Sequence, residues 1–243
     1  ESRIRIIPNP GNFNYSAANN LGVSHATGEL YLFLNNDTQV EDPDWLDELV
    51  SWAERPGVGI VGAKLVRPDG TIQHAGVIMG MIGHGAHVFD GGCEDQFTVF
   101  GRPEWYRDLQ AVTGACMMVA RAVLERIGPF DETYAIGYSD IELCLRAVEA
   151  GYSVIHTPYA RLLHHEGASR GLFLLPSDVL RATVRMWPYI ESGDPYYNPN
   201  LSYATRIPRL ARAAEDNNEA RLMKLLKALG VVCEINAGRI GEF

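Results

Sequence analysis

Five apolar residues in succession, Leu30-Tyr31-Leu32-Phe33-Leu34, run straight into Asn35-Asn36-Asp37, and this junction constrains the chain more than any other stretch. A run without alternation has no polar face to offer water. It reads as a strand covered on both sides, of the kind found at the centre of a parallel sheet. In open α/β sheets the ligand crevice lies beyond the carboxyl ends of the strands, so the polar triplet is either a turn or a binding site.

The flanking segments extend this pattern. Residues 4–7 read as a short strand and 15–26 as a helix closing near Gly28, which gives a β-loop-α-β opening. Asp42 before Pro43 reads as an N-cap with proline at the first helical position, and Trp45, Leu46, Leu49, Val50 and Ala53 form the buried face of that helix. A strand starts at 57–62. Residues 68–110, rich in Gly and His with a hairpin at Asp69-Gly70, form a long excursion in which His74, His84 and His87 show no fixed metal geometry. A buried strand returns at 111–119, and a short helix over 121–127 stops at Gly128-Pro129. Ser139-Asp140-Ile141-Glu142 has the capping-box pattern and opens a helix that Gly151 ends. Residues 153–156 and 161–165 read as two short strands around Pro158. Beyond Gly171 the pattern loosens, until Leu222, Leu225, Leu226 and Leu229 mark a separate amphipathic tail helix stopped by Gly230.

Composition narrows the function. With 243 residues and 47% hydrophobic content the chain can build a large core. A net charge of −9 argues against nucleic acid, whose binding rests on phosphate neutralisation. No apolar run approaches the roughly 18 residues of a transmembrane segment, and the first residues lack the form of a secretory signal, so a cytoplasmic protein is expected. Four cysteines without a C-x-x-C pair read as reduced structural thiols. A Gly- and Lys-rich phosphate loop, which nucleotidyl transfer would want, is not found.

Five stretches carry a resemblance: "NFNYSAANNLGVSHATGELYLFLNND", "AVTGACMMVAR", "IGPFDETYAIGYSDIELCLRAVEAGY", "PYARLLHHEGASRG" and "DPYYNPNLS". In order and spacing they resemble the inverting family-two glycosyltransferases with the GT-A fold, and most closely the rhamnosyltransferase-like branch. The resemblance implies an α/β fold: a GT-A-like, mixed, mostly parallel sheet flanked by helices. It implies a domain over 1–202 lacking the family's first N-terminal βαβ portion, followed by a helical tail over 203–243. The family's usual acidic pair has Ser139 at its first position, while Asp140 is in place. The implied activity is metal-dependent, inverting transfer from a nucleoside-diphosphate sugar to a glycan or lipid-linked acceptor, in bacterial surface polysaccharide synthesis. The alternative is a non-catalytic fragment acting as a binding or assembly module. The tail helix could pack on its own domain or on a second copy, making a homo-oligomer.

Site residues follow from the resemblance combined with their chemistry. Asp37, closing the buried strand, is the expected ligand of Mn²⁺ or Mg²⁺, with Asn35 and Asn36 placed for ribose or phosphate oxygens; the competing reading of the triplet is an Asx-type turn. The resemblance implies that His164 completes the metal shell or contacts the diphosphate, and a neutral imidazole suits Mn²⁺ better than Mg²⁺. His165, its neighbour on a strand, faces the other way. Ser169 and Arg170 would reach the donor phosphates, with an exposed loop as the alternative reading for Ser169, and Asn14, Ser16 and Asn19 the nucleotide, with capping as the competing explanation, strongest for Ser16. Asp140 is the expected general base, against simple helix-dipole stabilisation. Thr113, Gly114 and Glu142 border the acceptor side, although the capping box explains Glu142 equally well. Trp105, Tyr106 and Trp187 could stack on sugars or serve as core residues.

Overall fold

A computed structural model describes residues 4–165 and 174–231. The first regular element is α1 (Tyr15–His25), whose N-cap Asn14 accepts from Ala17 N at 2.9 Å. Residues 4–7 form no strand. Ile4 and Ile6 are exposed, and strand propensity without a partner strand does not make a sheet. There follow β1 (Leu30–Leu34), β2 (Thr38–Val40), α2 (Trp45–Ala53), β3 (Val58–Val66), β4 (Ile72–His74), β5 (Val77–Met79), a 3₁₀ turn (Met81–Gly83), β6 (Gly85–His87), β7 (Arg107–Leu109) and β8 (Cys116–Ala120). The remainder comprises α3 (Arg121–Ile127), α4 (Ser139–Glu149), β9 (Ser153–His164), α5 (Pro176–Ser192) and α6 (Asn218–Ala228). No helix among the described residues is long and apolar enough to cross a membrane.

Seven strands form one sheet along the path β1-β8-β3-β9-β2, with β4 attached to β3 and β7 to β9, while β5 and β6 pair separately. The apolar run of β1 is covered on both faces from Leu30 to Phe33, while Leu34 is exposed. Tyr31 and Phe33 enter the main core with Leu143, Leu145 and Val154, while Leu30 and Leu32 pack on the opposite layer with Leu49 of α2 and Leu162. The pairing direction differs from expectation, however. Only β3 with β9 is parallel among the described residues, so the mixed sheet is mainly antiparallel, and β1 pairs with β8 at one end of it. An unbroken apolar run reports burial on two faces, not the direction of the neighbouring strand.

Other local readings are corrected as well. Helix α2 starts at Trp45, because the Asp42 carboxylate accepts from Asp44 N at 2.9 Å and forms an Asx turn ahead of it. The capping box is not made: Tyr138, in the left-handed region at φ 69°, occupies the N-cap of α4, and Ser139 is its first helical residue. Residues 153–164 are one strand instead of two. Its register against β3 jumps from Ala63↔Thr157 to Lys64↔Arg161, and Pro158 sits in the resulting bulge, where its missing N–H breaks no ladder bond. The segment that looked loose after Gly171 contains the 17-residue helix α5. Helix α6 is not held apart, since Leu222 and Leu226 are buried in the same core as Tyr31 and Leu143.

Candidate active site

The polar triplet is both a turn and a presentation device. Thr38 N donates to Asn35 O at 3.3 Å, which closes a β-turn with Asn36 and Asp37 at its centre. The Asp37 main chain is fixed by His165 N, which donates to its carbonyl at 2.9 Å. Its carboxylate Oδ1 stands 3.0 Å from Nε2 of His164, the last residue of β9, so the pairing of β2 with β9 brings together two residues 127 positions apart. The other ring nitrogen of His164, Nδ1, lies 2.7 Å from Oε1 of Gln73 on β4. Both His164 and Gln73 are buried. His165 points away and is exposed.

This pair fits a divalent cation. Ligands about 2.1 Å from one ion and at right angles stand about 3 Å apart, and a carboxylate plus an imidazole is a donor set that Mn²⁺ accepts. An oxygen thus faces each ring nitrogen of His164, and a cation between Nε2 and the Asp37 carboxylate would be shared by both side chains. Among the described residues no group of three His, Cys, Asp or Glu side chains could hold an ion. The remaining positions would fall to water and to substrate phosphates, as such ions commonly arrange.

Asp140, at the first turn of α4, accepts through Oδ2 from Gly114 N at 2.8 Å and through Oδ1 from Ile141 N at 2.9 Å. It sits at the junction of two clefts. The smaller, about 150 Å³, is also lined by Asn35, Thr113, Gly114 and Tyr15. The larger, about 490 Å³, has a polar wall of His87, Asp90 and Arg206 and an apolar wall that includes Leu225 and Leu229 from the α6 region. Asn35 therefore reaches the Asp140 cleft directly, while Asp37 lies two residues further along the turn. Tyr138 lines both clefts, packs edge-on to His84 at 4.7 Å, and is pushed up to about 12 by burial.

Several expected site residues are engaged elsewhere. Asn14 caps α1 and donates to Glu132 O, Asn19 donates to Tyr15 O at 2.9 Å, and Ser16, fully buried, donates to Tyr134 O at 2.6 Å. Ser16 is thus neither the cap nor accessible to a nucleotide. Glu142 lines neither cleft around Asp140. It takes Arg146 Nε on both oxygens at 3.0 and 2.8 Å, an i,i+4 pair pointing away from the site. Thr113 and Gly114 lie in the smaller cleft beside Asn35. Ser169 and Arg170 fall outside the described residues. Trp105 and Tyr106 are exposed and line neither cleft; Trp187 is exposed on α5.

Two groups escaped sequence reasoning. Asp178, buried on the first turn of α5, accepts from Ile136 N at 2.8 Å and Gly137 N at 3.1 Å and so fixes the loop lining the smaller cleft. The Ser-Asp pair after Pro176 was the available signal, since it resembles a helix start. Gln73 gave none, because one amide in a Gly- and His-rich excursion has no periodicity to betray it.

The sequence model described as "Glycosyl transferase family 2" matches residues 1–128, more than half of the chain, a span that includes Asp37 and ends before Asp140 and His164. The O-antigen biosynthesis protein RfbC of Myxococcus xanthus is 46% identical over 216 residues, 88% of this chain but 17% of that protein. The N-acetylglucosaminyl-diphospho-decaprenol L-rhamnosyltransferase of Mycobacterium tuberculosis (strain ATCC 25618 / H37Rv) is 27% identical over 69% of this chain and 61% of its own length. The chain thus spans less than two thirds of the curated relatives it matches here. Among solved structures, GalNAc-T7 with UDP, GalNAc and Mn²⁺ aligns over 78% of this chain and 40% of its own at a TM-score of 0.52 and 14% identity, a likeness of fold.

Proposed function

Since the chain belongs to glycosyl transferase family 2, we propose that it transfers a sugar, with inversion, from a nucleoside diphosphate to a hydroxyl of a glycan or lipid-linked acceptor during surface polysaccharide synthesis. The names of RfbC and of the mycobacterial rhamnosyltransferase support that setting. The observation that carries the reading is the approach of Asp37 Oδ1 and His164 Nε2 to 3.0 Å. A divalent ion held there would neutralise the departing diphosphate, and the imidazole favours Mn²⁺ over Mg²⁺.

The chain's own residues do the rest. Asn35 and Asn36 are placed for the polar edge of the donor beside Asp37. Asp140, its oxygens oriented by Gly114 N–H and Ile141 N–H, takes the proton of the acceptor hydroxyl as that oxygen bonds to the anomeric carbon. The bond from that carbon to the diphosphate oxygen breaks on the opposite face, so one displacement inverts the centre. Sugar-nucleotide turnover with Mn²⁺ tests this: Asp140→Asn should lose about 10²–10⁴ in rate, and Asp37→Ala a comparable amount. Equal turnover in both variants and the wild type would overturn the proposal.

A further inference from the structure

We propose that Gln73 is the positioning residue of the Asp37–His164 pair: its side-chain oxygen holds the proton of His164 on Nδ1 and so turns the Nε2 lone pair toward Asp37 and the cation the two would share. This rests on the metal role proposed above. Gln73 is 3% exposed and sits in the middle of the three-residue strand β4. Its backbone is tied on several sides. Ile72 N donates to Gly92 O at 2.9 Å, His87 Nδ1 lies 2.9 Å from the Gln73 carbonyl, and the flanking Ile72 and His74 pair with Val66 and Leu65 of β3, with Gln73 at the bulge between them. The amide is therefore delivered to His164 by a rigid, buried element.

The alternative is that Gln73 merely satisfies a buried histidine. An amide turned the other way would do that as well, its NH₂ donating to Nδ1 while Nε2–H donates to Asp37, and such a pair needs no cation. In the structure Oε1 of Gln73 stands 2.7 Å from Nδ1 and Oδ1 of Asp37 stands 3.0 Å from Nε2, so an oxygen faces each ring nitrogen; an imidazolium would donate to both, and a neutral ring protonated on Nδ1 would offer Nε2 to a cation. Metal-bound histidines commonly donate their second N–H to an acceptor that sets tautomer and ring orientation. Gln73 occupies that place.

A glutamate can only accept, so it separates the two readings. Mn²⁺ is titrated into the purified chain and the free ion read by electron paramagnetic resonance, with thermal midpoints recorded for each variant. Gln73→Leu should weaken Mn²⁺ binding about 10–100-fold, whereas Gln73→Glu should stay within about threefold of wild type or bind more tightly. Binding by Gln73→Leu equal to wild type, or a loss in Gln73→Glu as large as in Gln73→Leu, would overturn the assignment. Imidazole ¹⁵N shifts of the wild type give a second readout that needs neither variant nor metal. Nδ1 of His164 should be protonated and Nε2 should not, and either a neutral Nε2–H tautomer or an imidazolium at neutral pH would sink the proposal. A wild type that binds no Mn²⁺, or whose binding survives His164→Ala, would overturn the metal-centre reading and this role with it.

Discussion

The main-chain N–H of Gly114 donates to Oδ2 of Asp140 at 2.8 Å, tying the turn ahead of β8 to the first turn of α4. The same glycine accepts from Tyr15 Oη at 2.8 Å through its carbonyl. A Cβ at this position would lie 2.6 Å from Tyr15 Oη and 3.2 Å from Asp140 Cβ, so glycine is required for room. Gly114→Ala should therefore displace Asp140 and lower kcat about 10²-fold, the scale of a 1 Å misplacement. Mn²⁺ affinity should not change. Parallel measurement of kcat and of Mn²⁺ binding checks both halves.

Glu142 provides the contrasting case, a carboxylate two residues from Asp140 with a structural job. It anchors Arg146, whose guanidinium also donates to Pro129 O at 2.7 Å and Gly128 O at 3.0 Å and so clasps the connection between α3 and α4. Glu142→Ala leaves that largely buried guanidinium without its carboxylate and should cost about 3 kcal/mol in urea unfolding. The acceptor KM should match wild type. A raised KM with unchanged stability would return Glu142 to the acceptor side.

Ser16→Ala should act in the same way on a smaller scale. Removing the hydroxyl leaves the Tyr134 carbonyl without its buried donor, at a cost of about 1–2 kcal/mol. The donor KM should be unaltered, because no ligand reaches a residue with no exposed surface.

Acid stability follows from the buried imidazoles. Burial holds His84 down at about 4 and His156 at about 3, and burial with neighbouring His87, His156 and His164 holds His74 well below its usual value. Each folded value lies below the unfolded 6.5, so as pH falls below 6.5 the unfolded chain binds protons that the folded chain refuses, and stability is lost. Asp194 works in the opposite sense. Burial raises it to about 6, so between about pH 6 and 4 the folded chain takes up one proton that the unfolded chain does not. Three histidines against Asp194 leave a net loss of stability as pH falls through that window. Urea midpoints measured across it should fall steeply with acidification. His156→Leu should reduce the slope by about 1.4 kcal/mol per pH unit, one proton's worth.

What the sequence disclosed, and what it withheld, divides along physical lines. The junction at Leu34-Asn35 announced a strand end with a polar cluster, because burial on both faces and its abrupt end are written in consecutive residues. Asp37 and His164 stand 3.0 Å apart, and only the pairing of β2 with β9 shows it. The direction of β1 and β8 was hidden, since an apolar run looks alike beside parallel and antiparallel neighbours. The capping-box pattern at Ser139 misled by one residue, because Tyr138 took the left-handed cap position and Glu142 found Arg146 instead. Asn14 took the cap for which Ser16 was the stronger candidate, and Ser16 was buried against Tyr134 O instead, a shift of register that composition does not encode.

Helix α6 buries Leu222 and Leu226 in the main core, while Leu225 and Leu229 form part of the wall of the groove beside Asp140. A shortened chain cut near residue 203, where the resemblance ends, would lose one side of that groove along with a piece of its foundation. Exchanging α6 between related chains, with Asp37 and Asp140 left alone, is accordingly a way to reshape the groove next to Asp140 without rebuilding the sheet.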